Sequence, residues 1–128
     1  MNKPMIDLLY TLLESGKDDL QKSYSYRLTL NENHEVFKGH FPEQPVLPGV
    51  CQILIVTELL EKELDLKLLL NKANNIKFLK MIDPKISNEL IVKTKIIEQN
   101  GSFVRVSSTI ETGDSICLKF NGQYMKER

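Results

Sequence analysis

The longest apolar run in the chain extends from Val50 to Leu60, broken only by Gln52, Thr57 and Glu58. Apolar residues on almost every side predict a helix buried all round. At about 1.5 Å per residue, residues 50–64 span roughly 22 Å, the width of a small domain. Pro42, Pro45 and Pro48 stiffen the approach to this helix, and Gly49 opens it. Near the N-terminus, Met5, Leu8, Leu9 and Leu12 fall on one helical stripe. They predict a short amphipathic helix over residues 3–15, with Pro4 in its first turn and Gly16 at its stop. From Lys22 to Leu30 the period changes to two. Tyr24, Tyr26, Leu28 and Leu30 face one way, as in a half-buried strand. Asn31-Glu32-Asn33 is a turn cluster. A polar break at 71–75 precedes a strand over 76–82, which Asp83-Pro84 ends. Glu89–Glu98 and Phe103–Glu111 alternate well, and Asn100-Gly101 joins them as a hairpin. Thr112-Gly113-Asp114 is a further turn, before a strand from Ser115 to Phe120 that can extend to Met125.

The order is therefore helix, strand, buried helix, then three or four strands in a meander. Strands joined by tight turns pair antiparallel, and a sheet with one apolar face needs a cover. The helix opening at Gly49 is the only segment long and apolar enough. The expected fold class is α+β: a curved antiparallel sheet wrapped round one long helix. No repeat or linker divides the chain, so a single domain over residues 1–128 is expected, with residues 1–16 as its N-terminal helix.

Composition narrows the function. Seventeen basic residues balance 17 acidic ones, which argues against a broad nucleic-acid footprint. No apolar run reaches about 18 residues, so no membrane span is expected. The N-terminus lacks the charged-then-apolar order of a secretory signal, which makes the cytoplasm the default location. Cys51 and Cys117 lie in segments that read as buried, where cysteine is a small apolar residue rather than half of a disulfide. The two histidines and two cysteines show no metal-ligand spacing, and no glycine-rich phosphate loop follows a strand.

The candidate chemistry sits just before the long helix. A glycine at a helix start leaves backbone N–H groups uncovered, and the helix dipole favours negative charge there. A carbonyl developing oxyanion character is stabilised by such donors. His40 lies nine residues before Gly49 on a proline-stiffened loop, and a neutral imidazole there can remove the α-proton of a thioester. The plainer reading is a loop histidine bonded to backbone. His34 reads as a surface residue. Cys51, in the first helical turn, is a further nucleophile candidate, with burial as the simpler account.

Gly39-His40-Phe41-Pro42, followed in register by Pro45, Val46, Pro48, Gly49 and Val50, resembles the signature loop of the 3-hydroxyacyl-acyl carrier protein dehydratases. These are hot-dog-fold enzymes of fatty-acid elongation, the hydroxymyristoyl type among them. Asn75-Ile76-Lys77-Phe78 and the hairpins after it are similar in order, so the resemblance covers most of the chain after about Ser23. It implies a hot-dog fold with His40 as the catalytic histidine. It makes Gly49 the residue whose backbone N–H polarises the thioester carbonyl. It also places Phe41, Pro48, Val50 and Leu54 along the substrate. The resemblance further implies a site at a dimer interface, with the acid on the partner's helix, so a homodimer or higher oligomer is expected, or a heterodimer with another hot-dog subunit. The substrate would arrive on the phosphopantetheine arm of an acyl carrier protein, with no other cofactor, and its acyl chain would run in a tunnel beside the helix.

The sequence departs from that pattern at one position. The family's Glu or Asp lies fourteen residues after the histidine, and here that residue is Leu54. Hydroxide is a poor leaving group unless protonated, and losing a general acid costs about 10²–10⁴-fold. Glu58 lies one helical turn further on, about 6 Å along the axis, and is the expected displaced acid. The competing reading starts the exposed end of the helix at Glu58, with Glu61, Lys62 and Glu63. Gln52 and Thr57 can orient a hydroxyl or a water but are weak acids. Three functions stay open: a dehydratase-like hydro-lyase, a hot-dog thioesterase, and a non-catalytic acyl-binding or heterodimer-partner subunit.

Overall fold

The computed structural model describes residues 8–38 and 45–127. Six strands and one long helix make up the described part: β1 (Tyr10–Asp18), β2 (Ser23–Leu30), α1 (Gly49–Leu64), β3 (Leu68–Phe78), β4 (Glu89–Gln99), β5 (Phe103–Thr112) and β6 (Ser115–Lys126). All six strands form one antiparallel sheet in the order β1-β2-β4-β5-β6-β3. The sheet's apolar face closes on α1, which is the hot-dog arrangement. Leu28, Leu90, Val92, Val106, Ile110, Leu118 and Tyr124 meet Ile55, Val56, Leu59 and Leu60 of the helix in one core. The alternation read from β2, β4 and β5 is the alternation that is buried. Two inward hydroxyls, Thr94 and Ser108, satisfy each other at 2.8 Å, so the core carries them without an unpaired polar group.

Four expectations need correction. Residues 10–15 are strand, not helix, and Met5 and Pro4 lie outside the described residues. Without β1, the outer edge of β2 would present a row of unpaired N–H and C=O groups. Pairing from Tyr10 with Leu30 to Asp18 with Ser23 satisfies that edge and overrides a four-residue stripe. The Asp18 carboxylate then accepts from the backbone N–H groups of Leu20 and Gln21 and closes the turn into β2.

The polar stretch 71–75 is also strand. β3 starts at Leu68 and absorbs these residues through irregularities at Leu70/Lys72 and Ala73/Asn75, then ends at Phe78 rather than Ile82. Next, β3 does not join the meander. It pairs with β6, and residues 79–88 carry the chain back across to β4. Finally, α1 is not buried all round. Cys51, Gln52, Ile55, Val56, Leu59 and Leu60 are buried, but Val50 is 61% exposed and Ile53 and Leu54 are half-buried. The sheet wraps one face of the helix and leaves the other open beside β3.

Candidate functional site at the start of the long helix

Pro48 precedes the first turn of α1 in an extended conformation, and among the described residues no side chain caps the helix. The Pro48 carbonyl accepts from Cys51 N at 3.0 Å and Gln52 N at 3.1 Å. The N–H groups of Gly49 and Val50 precede these and have no intrahelical acceptor. No acidic side chain occupies the first turn. The positive end of the helix dipole is therefore available to a partial negative charge. Leu47 N bonds to Ile82 O at 2.8 Å, which pins the approach to the helix against the segment after β3. Gly49 packs closely against Phe78: a Cβ there would stand 2.6 Å from Cζ of that half-exposed ring at the end of β3, which would have to shift.

Two depressions share Gly49 and Phe78. The first, of about 520 Å³, runs along the open face of α1, between Val50, Ile53, Leu54 and Thr57 and the β3 residues Leu68, Leu69, Leu70 and Ile76. Its lining is apolar apart from Thr57, whose hydroxyl is already engaged by Ile53 O at 2.9 Å and the Tyr124 hydroxyl at 2.7 Å. Burial pushes the Tyr124 phenol up to about 12. The second depression, of about 460 Å³, lies on the approach side, lined by Val46, Leu47, Pro48, Gln52 and the segment from Phe78 to Met81. Gln52 is 4% exposed; its Nε2 donates to Leu47 O at 3.2 Å and its Oε1 has no hydrogen-bond partner among the described residues.

An uncapped helix start beside an apolar slot suits an acyl thioester, and the comparisons point the same way. The ApeI-like family model, described as ApeI dehydratase, matches residues 16–117. This chain belongs to the ApeI-like dehydratase family. A thioester dehydrase of Halalkalibacterium halodurans is 33% identical over 94 residues, which cover 67% of the chain and 59% of that relative. The 3-hydroxyacyl-[acyl-carrier-protein] dehydratase FabZ of Lactococcus lactis is 33% identical over 99 residues, 72% of the chain and 66% of the relative. The chain thus matches less than two thirds of the length of either. Among solved structures, the dehydratase heterocomplex ApeI:P from Xenorhabdus doucetiae superposes with a TM-score of 0.74 at 23% identity, over 90% of this chain and 96% of that one. That likeness shows the fold.

Within this ApeI-like chain the remaining candidates separate. His40 and Phe41 lie outside the described residues. Gly49, Val50 and Leu54 line the apolar depression, while Pro48 lines the second one. Glu58 lines neither. It borders a different depression with Glu61, Lys62 and Asp65. Its Oε1 accepts from the Tyr10 hydroxyl and pairs with Lys62 Nζ at 3.5 Å. Burial, with the Glu58 carboxylate beside it, raises the Tyr10 phenol well above its ordinary value. Four residues along a helix advance one turn but also rotate by about 40°. That offset takes Glu58 off the β3 side and towards β1, so the geometry argues against a displaced acid.

Cys51 is buried, and burial raises its thiol pKa, the opposite of what an activated nucleophile needs. Cys117 is buried and also unpaired with another cysteine. His34 Nδ1 accepts from Val36 N at 3.0 Å and starts the short 3₁₀ turn Glu35–Phe37. Among the described residues no group of His, Cys, Asp or Glu has metal-site geometry, and no helix is long and apolar enough to cross a membrane. Sequence reasoning passed over Phe78 and Tyr124 as site residues. Phe78 reaches the helix start from β3, held by its pairing with β6, and Tyr124 reaches Thr57 from β6 itself; no local pattern encodes either contact.

Proposed function

We propose that this chain acts on 3-hydroxyacyl thioesters as a dehydratase-like hydro-lyase in fatty-acid or related lipid or polyene biosynthesis. The substrate is carried on the phosphopantetheine of an acyl carrier protein. The observation that carries this reading is the uncapped Gly49 helix start opening onto the apolar depression along α1. The acyl chain lies against Val50 and Leu54, with Phe41 and Pro48 near the thioester end. The thioester carbonyl accepts from Gly49 N–H, which stabilises the enolate oxygen as charge develops. His40 is the base that removes the α-proton. The β-hydroxyl then leaves with a proton as water, and the Cα–Cβ double bond forms.

Among the described residues the depression offers no proton donor for that last step, because Leu54 is a hydrocarbon and Thr57 is committed to Ile53 and Tyr124. In this reading the proton comes from a group outside that lining, on this chain or on a partner subunit. The test follows water loss and free-acid release from 3-hydroxyacyl-carrier thioesters by mass spectrometry, with wild type and His40→Ala side by side. Water loss that falls by about 10²–10⁴-fold in His40→Ala supports the reading. Release of free acid instead makes the protein a thioesterase.

A second reading has its own support in Leu54. An apolar residue inside an apolar slot holds a chain without reacting with it, as a non-catalytic acyl-binding subunit or heterodimer partner would. Tight binding of acyl carrier thioesters with no turnover by the pure protein, and turnover restored by a second hot-dog subunit, establishes this alternative.

A further inference from the structure

The second depression contains a polar group that neither reading has used. Gln52 is buried at 4% exposure, and its amide orientation is set by its neighbour. The Leu47 carbonyl requires a donor, so the NH₂ end points to it at 3.2 Å and the oxygen end is left over. That Oε1 has no partner among the described residues. A buried acceptor without a donor is destabilising, a deficit that a bound hydroxyl group would remove. Gln52 stands three residues, just under one helical turn, beyond Gly49 and lines the same depression. The wall includes Met81, which is 73% exposed and unbranched, so it yields readily to a ligand. The helix start thus combines the Gly49 backbone donor with a side-chain acceptor on an amide that its bond to the Leu47 carbonyl turns back toward that start.

We propose that Gln52 is a specificity residue whose Oε1 accepts a hydrogen bond from the β-hydroxyl of a 3-hydroxyacyl thioester bound with its carbonyl at Gly49. The inference rests on the acyl-thioester reading of the site and deepens it. A neutral amide does not protonate the leaving oxygen. Gln52 instead holds the hydroxyl in place and distinguishes substrate from acyl chains that lack it.

The experiment is calorimetric binding of two unreactive amide isosteres, 3-hydroxyhexanoyl-pantetheine and hexanoyl-pantetheine with nitrogen in place of the thioester sulfur. One hydrogen bond predicts that the full-length protein binds the hydroxy compound about tenfold tighter. In Gln52→Leu that ratio falls to about one, while hexanoyl binding is retained. Gln52→Glu, which also gives up the donor to Leu47 but keeps an acceptor oxygen, retains the preference. This pair separates the acceptor role from the structural tie to Leu47. Equal affinity of the wild type for both compounds overturns the assignment without any variant having to fold. So does an unchanged ratio in Gln52→Leu. Binding of neither compound overturns the acyl-thioester reading itself, and Gln52 with it.

Discussion

The two ends of α1 handle polarity in opposite ways. At the C-terminal end three carboxylates have partners within the fold. Glu58 takes the Tyr10 hydroxyl and Lys62. Glu61 accepts from Leu68 N at 2.9 Å and anchors the start of β3, and Glu63 accepts from the Tyr26 hydroxyl at 2.6 Å. Burial, then Glu63, raises the Tyr26 phenol as the same arrangement raises Tyr10. Asp65 turns the chain out of the helix in the left-handed region, at φ 53°. Among the described residues the N-terminal end has no capping side chain, no carboxylate in its first turn and an amide oxygen without a donor. A fold satisfies its buried polar groups unless something else uses them. The unsatisfied end is therefore where a ligand belongs, and the charge-rich end is a clamp.

The largest effect should come from restoring the missing acid. Leu54→Glu puts a carboxyl in the apolar slot at the position where the signature-loop resemblance implies an acid. It is expected to raise water loss by the isolated protein about 10²-fold, read by mass spectrometry. An unchanged rate would mean the slot binds acyl chains in a pose that carboxyl does not reach. Next, Gly49→Val forces the Phe78 ring away from the helix start. Kinetics should show kcat/KM down about 10–100-fold, since small displacements of a reacting centre carry penalties of that order.

At the clamp end the effects fall on stability and leave binding alone. Tyr10→Phe removes the hydroxyl that ties β1 to Glu58, at a cost of about 1 kcal/mol. Thermal denaturation should register this as a few degrees, with acyl binding unchanged. The smallest effect under ordinary conditions belongs to Tyr124. Its folded-state pKa of about 12 lies above the ordinary 10, so the folded protein holds this proton more tightly than the unfolded chain. The resulting stability is fully present below pH 10 and is lost as pH rises from about 10 towards 12. Denaturant titrations across that window should show a shallower decline in Tyr124→Phe than in wild type.

Most of the sheet was legible because its signals are local. The alternation of Tyr24 to Leu30, the Asn100-Gly101 hairpin and the turn at Gly113, which adopts φ 53°, each specify their own geometry. The helix from Gly49 was legible for the same reason. The N-terminal strand was not, because the pairing that makes it a strand is supplied by the edge of β2 rather than by its own leucines. Nor was the route of β3, whose partner β6 lies about 50 residues away in sequence. The same limit applies at the site. Gly49, Leu54 and Gln52 stood out as breaks in a pattern, but the fate of Glu58 depended on where Tyr10 would fall. A helical wheel places Glu58 near Leu54; the fold around the helix sends it to the clamp.

The division between the two ends is tested most directly by acyl binding, which does not depend on turnover. Calorimetry with the hexanoyl-pantetheine amide would compare wild type, Leu54→Arg and Glu58→Gln. The account predicts that Leu54→Arg weakens binding by about tenfold or more, because an unpaired charge in an apolar slot is poorly tolerated. It predicts that Glu58→Gln binds as wild type does. Weakened binding in Glu58→Gln with full affinity in Leu54→Arg would put the acyl site at the other end of the helix and contradict the account.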